Sequence, residues 1–273
     1  MQVIDPSTTN NETLDNFLLN LQQNKIVDGI LLMGSTANGN MNDFSDIDIT
    51  LIVTEKPKAT LGITTFVENR FTEVFFYTKD EIENLLAKNE INPDKKEGWV
   101  LNWIRDGRII VDKSGLLEKV KQKSLNINLD TVFDNLIISS YQKVNYNLTQ
   151  NKRYFLSGNK LHLQALEIRL LYCLAEVFVA YSNIRRIHWK GEKLAIKWLE
   201  EHDREFLGIF QQYLKTSDIK EKMDLYEKLA DFALKPMGGI WHKPVVSAMP
   251  EGEPEEENIK SALSYWKKLS SAS

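Results

Sequence analysis

The residues best suited to chemistry are a Gly34-Ser35 dipeptide and, after ten intervening residues, the pair Asp46 and Asp48. A glycine at the end of an apolar run lets backbone N–H groups approach an anion closely, and the serine hydroxyl adds one donor. Because Asp46 and Asp48 are two residues apart on a predicted strand, both point to the same face. Their charges repel unless a divalent cation lies between them and bound phosphates.

A third carboxylate, Glu73, lies in the aromatic and β-branched segment 71–77. If this strand lies beside the strand at 47–54, Glu73 can complete a cluster of three carboxylates. Such a cluster holds two Mg²⁺ ions, which clamp the attacking and leaving oxygens of an in-line phosphoryl-type displacement.

Residues 43–48 have two other interpretations, a calcium loop and a solvated polar turn. An EF-hand loop needs a glycine at its sixth position and a glutamate at its twelfth. Counting from Asp43 or from Asp46 gives neither residue, which argues against the calcium loop. The polar turn remains an alternative for this segment.

The elements that must position these residues belong to a small α/β domain. Apolar and β-branched runs predict strands, and a period near 3.6 residues predicts helices. The predicted strands are 29–33, 47–54, 71–77 and 108–111, and the predicted helices are 14–21, 79–88 and 114–123.

The second half of the chain loses its strand signals and keeps a helical period. Helices are predicted at 130–150, 161–181, 192–200, 203–214, 218–234 and 255–269. The fold class is therefore α+β, with a small mixed-sheet domain at 1–125 followed by an all-α helical bundle at 126–273.

Composition excludes several classes of protein. The chain has 273 residues and a net charge of −4, with 14 basic and 19 acidic residues in 1–125 against 20 and 19 in 126–273. Neither half is basic enough to hold a long nucleic acid by counterion release. The single cysteine, Cys173, excludes a disulfide framework and a cysteine-rich zinc site. Without a signal-peptide pattern or an apolar run long enough for a bilayer, we expect a cytoplasmic protein with no membrane partner.

The ordered set of motifs resembles the DNA polymerase β-like nucleotidyltransferases, and within them the enzymes that adenylylate aminoglycosides or lincosamides. The resemblance covers roughly residues 29–120. It rests on Gly34-Ser35, Ser45-Asp46-Ile47-Asp48, Glu73-Val74-Phe75-Phe76-Tyr77 and the segment 110–120.

This resemblance implies Mg²⁺-dependent transfer of NMP, with AMP the expected group, from an NTP such as ATP to a hydroxyl of a small molecule. The domain at 1–125 would then be the catalytic domain, and the bundle at 126–273 would contribute the acceptor site. Asp46, Asp48 and Glu73 would be the catalytic and metal-binding residues. Gly34, Ser35 and Ser45 would bind the nucleotide. The oligomeric state is not predicted.

The chain departs from the family at two places. No basic residue follows Gly34-Ser35, so Lys152 and Arg153 are the candidates to meet the triphosphate, with a solvated helix end as the alternative. The segment 143–147 lacks the acid that serves some aminoglycoside enzymes as general base. The base is then missing, replaced by Glu73, or located on another helix.

Two rival functions remain open. One is a nucleotidyltransferase of toxin–antitoxin type that modifies a protein or a tRNA, although such chains are usually much shorter. The other is an NTP-binding module without turnover. A complete carboxylate set argues against the second, because unpaired acidic clusters are costly to keep.

Overall fold

The computed structural model describes residues 13–37, 39, 42, 44–88, 91, 96–125, 130–243, 245–248 and 256–270. The chain divides into two compact units, Met1–Leu129 and Asp130–Ser273. We call them the sheet unit and the helical unit.

The sheet unit combines a mixed sheet with flanking helices, which confirms the predicted α+β class. In chain order its elements are α1 (Leu14–Gln23), β1 (Val27–Leu32), α2 (Gly34–Ala37), β2 (Ile47–Val53), β3 (Gly62–Val67), β4 (Arg70–Thr78), α3 (Lys79–Ala87), α4 (Lys96–Asp106), β5 (Arg108–Asp112) and α5 (Leu116–Ser124). Strand β3 and helix α4 were not predicted from the sequence.

The five strands lie in the order β3-β4-β2-β1-β5. Strands β2 and β4 are parallel neighbours, as the sequence analysis required for Glu73, and the other pairs are antiparallel. Strand β3 turns directly into β4 through Glu68 and Asn69, whose φ angles of 52° and 59° are those of a tight two-residue hairpin.

The sheet separates two apolar cores because alternate side chains of a strand point to opposite faces. On one face Ile47, Ile49 and Leu51 of β2 are buried in a core that also contains Leu18 of α1. On the other face Ile52 of β2 and Tyr77 of β4 are buried with residues of α3, α4 and α5. Asp48, at an even-numbered position of β2 like Ile52, therefore faces the α3–α5 side.

The helical unit begins with the long hairpin of α6 (Asp130–Leu156) and α7 (Lys160–Ile184). It continues with α8 (Glu192–His202), α9 (Arg204–Lys215), α10 (Ile219–Leu234), a 3-10 turn (Lys235–Met237) and α11 (Glu256–Ser270). Helix α10 packs on α6, α7 and α9. Among the described residues no helix has the length and apolar character to cross a membrane.

The start of α3 is held by a charged cap. The Thr78 hydroxyl accepts a hydrogen bond from Glu81 N, and the Glu81 carboxylate accepts one from Thr78 N. Lys56 Nζ lies 2.6 Å from Glu81 Oε2. Burial alone would raise the pKa of Glu81, but these bonds and the charges of Lys56 and Lys96 lower it below its usual value.

We expect Glu81→Gln to lower the free energy of unfolding at pH 7 by about 1 kcal/mol, because it weakens the cap and leaves Lys56 without its carboxylate partner. A lowered pKa in the folded state stabilises the protein above the ordinary glutamate pKa of about 4.3, and this contribution is lost as the pH falls further. The difference in free energy of unfolding between the wild type and Glu81→Gln should therefore become smaller below about pH 4. Urea titrations followed by circular dichroism at both pH values measure it.

The matched control is Glu83→Gln, which changes an exposed carboxylate on the same helix. We expect this control to alter stability by less than about 0.5 kcal/mol. Equal losses for the two variants, or a Glu81→Gln deficit that does not depend on pH, would contradict the role given to the cap.

Candidate active site

The site begins where β1 leaves the sheet. Met33 N donates to the Asp48 carbonyl oxygen at 2.9 Å, so the chain after β1 stays tied to β2. It then forms the short helical turn α2, in which Ala37 N donates to Met33 O at 3.2 Å. The Thr36 hydroxyl, which is buried, lies 3.4 Å from the Asp46 carbonyl oxygen. The turn and the start of β2 are therefore held together at both aspartates.

Gly34 brings the backbone of this turn against the Asp48 carboxylate. Its φ angle is +58°, in the left-handed region that favours glycine. A Cβ placed on Gly34 would lie only 2.7 Å from Asp48 Oδ2. Both the backbone conformation and the limited space at position 34 therefore require glycine. This agrees with the expectation that a glycine here lets backbone N–H groups approach an anion closely.

The three predicted carboxylates come from two adjacent strands. Asp48 of β2 is the direct partner of Glu73 of β4 in the parallel pair, so their side chains lie on the same face. Asp46 precedes β2 by one residue. All three are half-buried, and within the described residues the side chains of Asp46 and Glu73 have no hydrogen-bond or ion-pair partner.

These carboxylates lie where the helical cover of the sheet ends. Along the same face, Ile52 and Tyr77 are almost fully buried beneath α3–α5. Phe75 comes next and packs its ring 5.0 Å from that of Trp103. Beyond it, Asp48 and Glu73 are only half-buried. On this face of the sheet, Asp48 and Glu73 are therefore accessible to a ligand, and the buried apolar side chains beside them fix the positions of the strands.

The two predicted serines have different surroundings. The Ser35 hydroxyl is shielded from solvent and has no hydrogen-bond partner among the described residues. Ser45 is buried, and its hydroxyl accepts a hydrogen bond from Asn42 N at 3.0 Å while Ser45 N donates to Asn42 O. Ser45 therefore holds the turn before Asp46, whereas Ser35 retains an unused donor. Nucleotide contact by either residue stays a prediction.

The residues present suit a divalent cation bound through oxygen. Mg²⁺ usually takes one or two carboxylates and completes its shell with water and substrate phosphates, which Asp46 and Asp48 can accommodate. As placed, the described residues contain no group of three or more histidine, cysteine, aspartate or glutamate side chains able to hold a metal ion. Glu73 thus lies beside Asp48 in register, and its role as a third ligand stays a prediction.

The predicted phosphate-binding residues lie near the end of α6. Lys152 Nζ pairs with Glu227 Oε1 of α10 at 2.6 Å, so its charge is already matched inside the helical unit. Arg153 is exposed, and its Cζ atom lies 5.4 Å from the centre of the Tyr154 ring. The two neighbours in sequence therefore differ in how much charge each can offer to a ligand.

Two features of the structure were not predicted from the sequence. Thr36, which links the turn to Asp46, carries no sequence signal beyond its place after Gly34-Ser35. The helical unit also holds a cavity of about 450 Å³ with aromatic walls, which no motif indicated. Its lining includes Tyr181, Trp189, Trp198 and Lys197.

We expect Gly34→Ala to destabilise the protein through two effects. The left-handed backbone costs about 1–2 kcal/mol with a side chain, and the new Cβ displaces the Asp48 carboxylate for about 1 kcal/mol or more in addition. Urea unfolding followed by circular dichroism measures the total.

Gly39→Ala separates these effects. Gly39 has a similar φ angle of +68°, but among the described residues a Cβ there would meet nothing within 4 Å. This control should show only the backbone cost. If both variants lost the same stability, the contact between position 34 and Asp48 would have no energetic weight.

Comparison with known proteins places this geometry in a family. No curated protein sequence matches the chain. Among solved structures, a nucleotidyltransferase-like protein from Exiguobacterium sibiricum 255-15 is similar, with a TM-score of 0.44 and 12% identity over 81% of this chain and 75% of that one. A family model described as a nucleotidyltransferase domain matches residues 14–152, slightly more than half of the 273 residues. The match begins at α1, includes the turn at Gly34 and all three carboxylates, and shows that this chain belongs to the nucleotidyltransferase domain family.

Proposed function

We propose that the protein is a Mg²⁺-dependent enzyme that transfers AMP from ATP to a hydroxyl group of a small molecule. Membership of the nucleotidyltransferase domain family supports the reaction class. The observation that carries the proposal is the contact between the Gly34 backbone and Asp48, whose direct neighbour on β4 is Glu73. The Gly34 backbone thus lies close to the Asp48 carboxylate. A metal-bound polyphosphate needs both, because its metal binds carboxylates and its phosphate oxygens accept hydrogen bonds from backbone N–H groups.

In the proposed reaction the acceptor oxygen attacks the α-phosphorus of ATP. A new P–O bond forms to the acceptor, the bond from the α-phosphorus to the bridging oxygen breaks, and pyrophosphate leaves with that oxygen. The acceptor proton passes to a carboxylate, for which Glu73 is the candidate in the sheet unit. A residue of the helical unit is the alternative.

The two aspartates at the start of β2 and the first two residues of the α2 turn would each have a role. Asp46 and Asp48 would hold Mg²⁺, which when bound neutralises phosphate charge. Gly34 lets the backbone lie close to Asp48, and the Ser35 hydroxyl, which is shielded from solvent as placed, would have to rotate toward the phosphates to donate to one. Catalysis is then mostly positioning and charge neutralisation.

The acceptor is proposed from resemblance. The Ser45–Asp48 segment and the Glu73 strand are similar to those of enzymes that adenylylate aminoglycosides or lincosamides. We therefore propose a hydroxyl-bearing antibiotic of these classes as the first acceptor to test. The aromatic cavity of the helical unit has a volume suited to part of such a molecule.

We expect the double variant Asp46→Asn/Asp48→Asn to lose at least about 100-fold in rate, because neutral amides hold a divalent cation and its phosphates far less well. The measurement is ATP-dependent pyrophosphate release with a panel of aminoglycosides, lincosamides and cell metabolites. Removal of Mg²⁺ by EDTA should abolish the wild-type rate, and added Mg²⁺ should restore it.

Asp80→Asn is the matched control, since Asp80 is an exposed aspartate of the sheet unit outside the site. It should keep the wild-type rate. Release at the wild-type rate in the double variant would refute the proposed mechanism. Label from ATP found on a polypeptide or tRNA would favour the macromolecular acceptor, and tight ATP binding without turnover on any acceptor would favour the non-catalytic module.

A further inference from the structure

The aromatic cavity of the helical unit lies between the end of α7 and α8. Its volume is about 450 Å³, within the range of sites that hold small molecules. Phe178 and Tyr181 of α7 line it, as does Trp198 of α8. The segment 187–190, which connects the two helices, supplies further lining residues, among them the half-buried Trp189. All of these residues belong to the helical unit, so that unit forms the cavity by itself.

Two of the aromatic rings are held in place by contacts outside the cavity. The Tyr181 hydroxyl donates to Asp203 Oδ2 at 2.6 Å, and Arg185 Cζ lies 3.8 Å from the centre of the Tyr181 ring. The Trp198 ring stacks on His202, with ring centres 4.6 Å apart and 10° between the ring planes. The ring surface in the cavity is therefore already ordered, which lowers the entropy cost of binding a ligand there.

A buried hydroxyl in the lining has no partner. Ser182 of α7 lines the cavity and is only 6% exposed, and within the described residues its hydroxyl makes no hydrogen bond. The Ser182 carbonyl oxygen accepts from Ile187 N at 2.8 Å, so the backbone oxygen is satisfied and the side chain is not. A buried hydroxyl without a partner is costly. Water or a polar group of a ligand inside the cavity would supply that partner.

The charged residues of the lining distinguish between kinds of ligand. Lys197 and Glu201 are exposed, lie one turn apart on α8, and have no ion-pair partner among the described residues. Lys190 is the third charged residue of the lining, so two cations accompany one carboxylate. A ligand with several ammonium groups would be repelled by this excess of positive charge, whereas a neutral or singly anionic ligand would not.

We propose that this cavity binds a small aromatic molecule that is neutral or carries one negative charge. Its ring would pack on the indoles of Trp189 and Trp198, because aromatic pairs gain free energy beyond the burial of apolar area. A polar group would bond the Ser182 hydroxyl, and an acidic group would lie near Lys197. The molecule is either the hydroxyl-bearing acceptor, which rests on the proposed function, or a separate ligand, which does not. A polycationic aminoglycoside does not match this chemistry.

The first arm of the test measures binding without any reaction. The probe is anilinonaphthalene sulfonate, a flat aromatic anion whose fluorescence rises in an apolar site, titrated into the full chain. Trp189→Ala should weaken its binding at least about tenfold, because it removes one indole. Ala195→Phe should do the same, since half-buried Ala195 lines the cavity and a ring there would occupy it. Lys197→Gln should weaken binding about threefold at low salt.

Trp266→Ala is the matched control, since Trp266 is an exposed tryptophan of α11 that does not line the cavity. It should keep the wild-type affinity for the probe. Circular dichroism checks the folding of each variant, and Lys197→Gln, which changes an exposed side chain, stays informative if the two wall variants perturb folding. No binding by the wild type, wild-type affinity in folded wall variants, or an equal loss in Trp266→Ala would overturn the proposal.

A second arm identifies the source of the ligand. Aromatic metabolites, lincosamides and aminoglycosides compete with the probe. If a compound that displaces the probe also supports pyrophosphate release, and Trp189→Ala raises its KM at least about tenfold without changing the KM for ATP, the cavity holds the acceptor. If that compound supports no release, the cavity is a separate site.

The same competition tests the charge preference. An aminoglycoside that displaces the probe more tightly than every aromatic anion would overturn the ligand class proposed here. The absence of pyrophosphate release with any acceptor would refute the proposed function, and the result of the probe titration would still decide whether the cavity binds aromatic anions.

Discussion

The contact between Gly34 and Asp48 is the constraint on which the candidate site depends. Asp48 accepts a backbone hydrogen bond from Met33, faces the Cα of Gly34 with its carboxylate, and lies directly beside Glu73 in the sheet. One residue thus joins the end of β1, the start of β2 and the neighbouring β4. A shift of one residue in the β2–β4 register would turn Glu73 to the opposite face and separate the carboxylates.

The same constraint explains why apolar packing matters to a polar site. On β2 the isoleucines and the aspartate alternate, so the burial of Ile47 and Ile49 in the α1-side core fixes the direction in which Asp48 points. Within the described residues the side chains of Asp46 and Glu73 have no ion-pair partner, so the packing around β2 and β4 holds these two half-buried carboxylates in place. Carboxylates on the same face of a sheet repel each other where they are close, and a bound cation would relieve this repulsion.

The sequence predicted those parts of the fold in which composition and period agree. The aliphatic residues of β2 and the aromatic residues of β4 predict both strands. That the two strands are neighbours followed from the hypothesis that Asp46, Asp48 and Glu73 form one cluster. Strand β3 escaped prediction because most of its side chains are exposed and its turn, Glu68-Asn69, lacks glycine despite two positive φ angles. Similarly, the amphipathic pattern of α4 is interrupted by the buried Gly98. In both cases the local sequence pattern is too weak to predict the element, which forms through its packing or pairing with the rest of the sheet unit.

The charges of α7 show what a sequence pattern leaves undecided. Glu167 pairs with Lys222 of α10 at 2.9 Å, and Glu176 pairs with Lys143 of α6, so each acid in this apolar helix meets a cation from a neighbour. Arg169 meets only neutral oxygens. Neutral acceptors satisfy three of its N–H groups but do not offset its charge, and an apolar residue at this position would leave the buried side-chain oxygens of Asn147 and Asn151 without their donor. Hydrogen bonding between α6 and α7 therefore accounts for a guanidinium at this position, which the apolar pattern of α7 does not indicate.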